Sequence, residues 1–186
     1  MTTVFLSGSR TLGRLHPQVR DRIDNIVAQG FHIVVGDANG ADKAMQAYLN
    51  DVGYADVTVY CSGGKCRNNL GTWPVQEVYV SLNVKGRDFY TAKDKAMADQ
   101  ADFGFVLWDG KSAGSVENVI ELLKRGKKVL LFLSPQTRFC TAASVADLHS
   151  ILRQCGADEI AVIDKKIGLN RSLGTLEGRA QVPIGL

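Results

Sequence analysis

The chain has no run of like charges, no internal repeat and no low-complexity tract. Its 22 Lys and Arg against 19 Asp and Glu leave a formal charge of only +3. So small an excess, spread along the chain, marks neither a nucleic-acid binder nor an acidic protein, and nucleic acid is not expected as a partner. The opening MTTVFLSGSR has neither the basic segment nor the long apolar stretch of a secretory leader, so none is expected. No apolar run approaches the roughly 20 residues that cross a bilayer, and a membrane is not expected either. The four cysteines, Cys61, Cys66, Cys140 and Cys155, then read as free thiols in a reducing cytoplasm. Cys61 and Cys66 lack a second pair at zinc-binding distance, and His16, His32 and His149 are scattered without metal or triad spacing. No metal and no cofactor are expected.

What is present is an ordinary globular composition, 45% hydrophobic and 22% charged over 186 residues, enough for one domain with a real core. Short apolar runs at 3–6, 31–35, 56–60, 103–108 and 128–133 read as strands, each closed by small or polar residues. Between them, helical spacing is predicted over 17–29, 41–50, 88–100 and 115–125, with Pro17 and Gly30 punctuating the first. A further helix over 145–155 and a strand over 160–163 follow. The stretch 62–87 breaks the alternation and reads as an irregular insertion holding a short strand near 77–82. The domain is expected to span 1–163, with 164–186 an extended or partly disordered arm. Alternating strands and helices call for an α/β, Rossmann-like, doubly wound and mostly parallel sheet with helices on both faces.

In such sheets ligands bind beyond the carboxyl ends of the strands, where strand order reverses. Three strand-to-helix loops are rich in small residues: Gly8-Ser9-Arg10, the run Gly36-Asp37-Ala38-Asn39-Gly40-Ala41-Asp42, and Asp109-Gly110-Lys111-Ser112-Ala113-Gly114-Ser115. Their backbone N–H groups and the helix N-termini behind them suit a phosphate. Ser9, Ser112 and Ser115 add hydroxyls, and Arg10, Lys43 and Lys111 add charge. Asp37 and Asp42 read equally well as turn or capping carboxylates, and Ser115 as a helix N-cap. In the insertion, Trp73 with Arg67, Asn68 and Asn69 reads either as a base-stacking lid or, with Tyr79, as a cover for the sheet edge or an oligomer interface.

In order and spacing these loops resemble the SLOG superfamily, chiefly its small members with a Gly-Ser-Arg start, across roughly residues 4–133. The resemblance implies a Rossmann-like domain that recognises nucleotides or phosphoribosyl groups, often as a homo-oligomer. The run Gly114-Ser115-Val116-Glu117 is similar to the Gly-Thr-x-Glu segment of lonely-guy phosphoribohydrolases. It is also similar to the catalytic segment of nucleoside deoxyribosyltransferases and deoxynucleotide N-hydrolases. On that likeness Glu117 is the carboxylate at the anomeric carbon, and Arg87 assists at the phosphate. Plain dipole stabilisation in a first helical turn is the competing account of Glu117. Where lonely-guy enzymes carry an arginine ahead of a Met-Ala pair, this chain has Lys93 before Met97-Ala98, which cannot give bidentate geometry. Arg87 or Arg67 would stand in for it. The resemblance thus implies hydrolysis or transfer at the N-glycosidic bond of a nucleotide or nucleoside phosphate. A non-catalytic nucleotide sensor, and an assembly role for the tail after Asp164, are the alternatives.

Overall fold

The computed structural model describes residues 1–64 and 66–180. The chain runs β1 (Thr3–Gly8), α1 (Pro17–Ala28), β2 (His32–Gly36), α2 (Ala41–Asp51), β3 (Val57–Ser62), β4 (Val75–Val78), α3 (Arg87–Gln100), β5 (Phe103–Trp108), α4 (Ala113–Leu123) and β6 (Lys128–Leu133). It ends in a short 3-10 turn, β7 (Arg138–Ala142), α5 (Val145–Leu152), α6 (Ala157–Ile167) and α7 (Leu169–Ala180). The seven strands lie in the order β4-β3-β2-β1-β5-β6-β7. All neighbours are parallel except β6 and β7. Strand order reverses between β1 and β5, which makes their carboxyl ends the switch point where a doubly wound sheet opens a crevice.

Alternation along each strand sorts the core into two faces. Val4 and Leu6 of β1 join Ile33, Val35, Val57 and Val59 beneath α1 and α2, with Val19, Ile23, Met45 and Leu49 packed on them. Phe5 faces the other way, with Val106, Trp108 and Leu131, under α3, α4 and the C-terminal helices. Trp108 is fully buried, and its indole N–H donates to the Ser112 carbonyl at 3.1 Å. Burying a side chain of that size contributes on the order of 2–3 kcal/mol, and here it also fixes the loop that follows β5. Among the described residues no helix is long and apolar enough to cross a membrane.

Three local expectations are corrected. Residues 160–163 are helical, within α6, because Ile160, Ile163 and Ile167 recur at a helical interval and pack on the main core. The segment after Asp164 completes α6 to Ile167 and then forms α7 (Leu169–Ala180), held by Leu169, Leu173 and Leu176, which are at most 8% exposed. Residues 181–186 of the expected arm lie outside the described residues. The insertion holds its strand at Val75–Val78, paired with β3 from Val59 to Ser62, rather than at 77–82. The antiparallel edge strand β7 was not foreseen. It follows a left-handed Thr137 that turns the chain back on β6.

Candidate functional site

A cleft of about 530 Å³ opens at the switch point, above the carboxyl ends of β1, β2 and β5. That volume falls in the range of small-ligand pockets. Its walls come from the loop after β1 (Gly8, Arg10, Thr11) and the β2–α2 junction (Ala38, Asp42). Further wall residues come from the insertion (Arg67), the first turns of α3 (Gly86, Arg87, Tyr90, Thr91, Lys93, Asp94), and the β5–α4 loop with α4 (Asp109, Lys111, Ser112, Gly114, Ser115, Asn118).

The loops are fastened to one another before any ligand arrives. The Ser9 hydroxyl is fully buried: it lies 3.0 Å from the Ser115 hydroxyl, accepts the Asp109 N–H at 3.0 Å, and donates to the Leu107 carbonyl at 3.4 Å. Asp109 accepts from the Thr11 hydroxyl at 2.6 Å and from the N–H groups of Lys111 and Ser112 at 2.9 and 2.7 Å. Burial pushes the Asp109 carboxyl up, but these hydrogen bonds outweigh it and hold the pKa below its ordinary value. Asp109 is therefore an ionised staple of its loop. Ser112 rather than Ser115 caps α4, accepting the Ser115 N–H at 3.4 Å. Gly40 bridges two loops: at φ 83° and with the Arg10 backbone against its Cα, it leaves no room for a side chain.

Residues 67–73 of the insertion are equally bound in. Arg67 donates through Nε and Nη2 to the two oxygens of Asp37, at 2.9 and 2.6 Å, and through its backbone N–H at 3.1 Å. Burial raises the Asp37 carboxyl, and the Arg67 bonds and charge more than reverse it, so its pKa is lowered. Asn68 donates to the Asp37 carbonyl at 2.8 Å and to the Asn39 side chain at 3.0 Å. Gln46 donates to the Gly36 carbonyl and accepts the Leu70 N–H. Trp73 is 7% exposed in the α2-side core, its indole N–H donating to the Tyr54 carbonyl at 2.9 Å. It covers the sheet and is no lid.

Of the residues the sequence singled out, Gly8, Arg10, Asp42, Arg67, Arg87, Lys93, Asp109, Lys111, Ser112, Gly114 and Ser115 line the cleft. Ser9, Gly36, Asp37, Asn39, Gly40, Gly110 and Glu117 stand behind or beside it, and Lys43 is exposed on α2. Glu117 is held in an ion pair with Arg87. The motifs reached Arg87 and Lys93 on α3 and missed Tyr90, Thr91 and Asp94 beside them. Tyr90 is 44% exposed at the mouth, with the Arg10 and Arg67 guanidinium carbons 5.7 and 5.2 Å from its ring centroid. Lys93 is 3% exposed, its Nζ donating to Asp94 at 2.5 Å. Burial pushes its ammonium down, but Asp94, Asp42 and Asp37 outweigh burial and raise it. Asp42 is 4% exposed, and burial lifts its carboxyl to about 6 against the attraction of Lys93. The signal was legible in principle: Arg87, Tyr90, Thr91 and Asp94 form a polar stripe at i, i+3, i+4 and i+7.

No protein-family model matches the chain, and no curated protein does. Among solved structures, DNA processing protein A from Helicobacter pylori superposes with a TM-score of 0.53 at 17% sequence identity. The match covers 70% of this chain and 64% of that one, so the chain matches less than two thirds of that protein's length. The fold is Rossmann-like. The Helicobacter protein is described by its single-stranded DNA binding mode. On that finding the expectation of N-glycosidic hydrolysis or transfer at Glu117 is withdrawn, together with the nucleotide-sensor alternative. The expectation that excluded nucleic acid as a partner in favour of a free nucleotide is corrected with them. The geometry offers the physical reason at Glu117: its carboxylate is committed to Arg87 and stands outside the residues that line the cleft.

Proposed function

We propose that the chain binds single-stranded DNA across the switch-point cleft. The observation that carries this reading is Tyr90, exposed at the mouth and flanked by the guanidinium groups of Arg10 and Arg67. A base stacks on an aromatic ring whatever its identity, and neighbouring cations track the backbone; together these make a single-strand platform. The N-termini of α2 and α3, which carry no side-chain caps, and of α4 point their partial positive charge toward the same space. Gly8, Arg10, Ser112, Gly114 and Ser115 take a phosphate there, Lys111 adds charge at the rim, and Arg87 with Glu117 braces the wall. A further support is that a protein of the same fold is described as binding single-stranded DNA. We infer, from the three loops in series, that the domain is of the SLOG type. The four free thiols support a reducing, cytoplasmic setting.

The test is fluorescence anisotropy of a labelled oligo-dT strand at several salt concentrations, for wild type, Tyr90→Ala and Arg10→Ala. Wild type is expected to bind with affinity falling as salt rises. Tyr90→Ala is expected to weaken binding roughly tenfold, since base–aromatic stacking is worth about 1–3 kcal/mol. Arg10→Ala is expected to flatten the salt slope. No binding at low salt, or binding indifferent to both substitutions, overturns the reading.

A further inference from the structure

The floor of the cleft has a chemistry that phosphate binding does not use. Asp42 and Lys93 both line it and both are more than nine-tenths buried. A buried carboxylate ordinarily gathers several donors, yet among the described residues Asp42 receives one long hydrogen bond, from the Ala38 N–H at 3.4 Å. Lys93 has three ammonium hydrogens and gives one to Asp94. The two heads converge on the bare Cα of Gly36. A Cβ there would stand 2.6 Å from Lys93 Nζ and closer still to an Asp42 oxygen.

We propose that Asp42 and Lys93 form a guanine-selective base pocket, so that the chain prefers single strands carrying guanine. The inference rests on the single-strand reading above and deepens it. A carboxylate beside an ammonium presents two acceptors next to a donor. Guanine offers the complement on one edge, with the N1 and N2 hydrogens adjacent to each other and the O6 acceptor next to them. Thymine offers a single N–H between two carbonyls. Adenine and cytosine each place a ring-nitrogen lone pair where the second carboxylate oxygen would sit, so that contact is repulsive. Tyr90 and Thr91, one turn or less from Lys93 on α3, wall the same space, and Tyr90 supplies the stacking face. An unpaired carboxylate costs folding free energy when buried, which explains selectivity by exclusion: a base without the two donors leaves it unmet.

The experiment compares labelled strands of about 12 nucleotides, all thymine except for one central position that is guanine, adenine, cytosine, thymine, inosine or abasic. Wild type is expected to bind the guanine strand roughly tenfold tighter than the thymine strand. Inosine, which lacks the N2 amino group, is expected to lose most of that gain. Asp42→Asn is expected to erase the preference, bringing the guanine and thymine strands to the same affinity. Because inosine varies the ligand, the test holds even if Asp42→Asn fails to fold. Equal affinity for all bases, a preference for another base, or an inosine strand as tight as guanine overturns the proposal and leaves single-strand binding standing. Absence of binding to every strand, the abasic one included, overturns both.

Discussion

Ser9 and Ser115 meet hydroxyl to hydroxyl at 3.0 Å although 106 positions separate them in the chain. That contact ties the loop after β1 to the first turn of α4 across the point where strand order reverses. It converts two glycine-rich turns, each individually commonplace, into one rigid rim.

Replacing Ser9 by Ala removes the acceptor for the Asp109 N–H and the partner of Ser115. A loss of about 1–3 kcal/mol in folding stability is expected, the usual cost of leaving buried polar groups unmet. Urea unfolding of the variant checks this. An unchanged midpoint would show that the serine contact does not brace the loops.

The Arg67–Asp37 pair makes a sharper prediction. The Asp37 side chain is 4% exposed, and Arg67 does most to hold its carboxyl below the ordinary pKa against burial. Arg67→Ala is expected to destabilise the fold by about 3 kcal/mol, because an uncompensated charge remains inside. Arg67→Lys is expected to recover only a fraction, since a single ammonium cannot serve both carboxylate oxygens. Equal stability of the Lys variant and wild type in thermal melts would refute the bidentate account.

The Asp42 carboxyl gives the opposite sign. Its pKa in the fold is raised to about 6 from 3.8. The native state therefore holds this proton more tightly than the unfolded chain does. The associated stability is complete below about pH 4, declines as pH rises toward 6, and is gone above it. Two units correspond to roughly 3 kcal/mol at most. Asp42→Asn is thus expected to raise stability at pH 8 and to leave it almost unchanged at pH 4. Denaturant titrations across that range decide it: a gain that does not grow with pH would show that the buried charge carries no penalty.

Truncation after Ile163 removes Leu169, Leu173 and Leu176 from the main core. Each buried leucine contributes about 2 kcal/mol, a loss comparable to the whole stability of a small domain. The shortened chain is expected to be largely unfolded by circular dichroism. A native-like spectrum would show α7 to be an accessory.

The parts of this fold that repeat a strong local pattern were legible in the sequence. Strands such as Phe103–Trp108 and helices such as Ala113–Leu123 carry their burial pattern in consecutive residues. The switch-point loops announced themselves through small residues. The failures have physical causes. In α7 the leucines recur at helical spacing, but Gly174 and Gly178 dilute the helix propensity. In β7 five residues take their stability from pairing with β6 rather than from composition. At the site, the hydrogen bonds that join Ser9 to Ser115 and Asp109, and Asp109 to Thr11, span about a hundred positions, and no local spacing encodes them. Lys93 and Asp42 gain their character from burial, which no spacing rule encodes. Tyr90 carries no motif, and its exposure between Arg10 and Arg67 comes from the packing of α3 against loops distant in the chain.

The hydrogen bonds of Asn68 and Trp73 tie residues 68–73 of the insertion to the Asp37 and Tyr54 carbonyls, and Asn69 closes the turn between them. A wall of that kind surrenders its conformational entropy once, when the chain folds. Little further ordering of that wall is left for the encounter with a ligand, so association at this face is expected to proceed without a slow rearrangement of the protein.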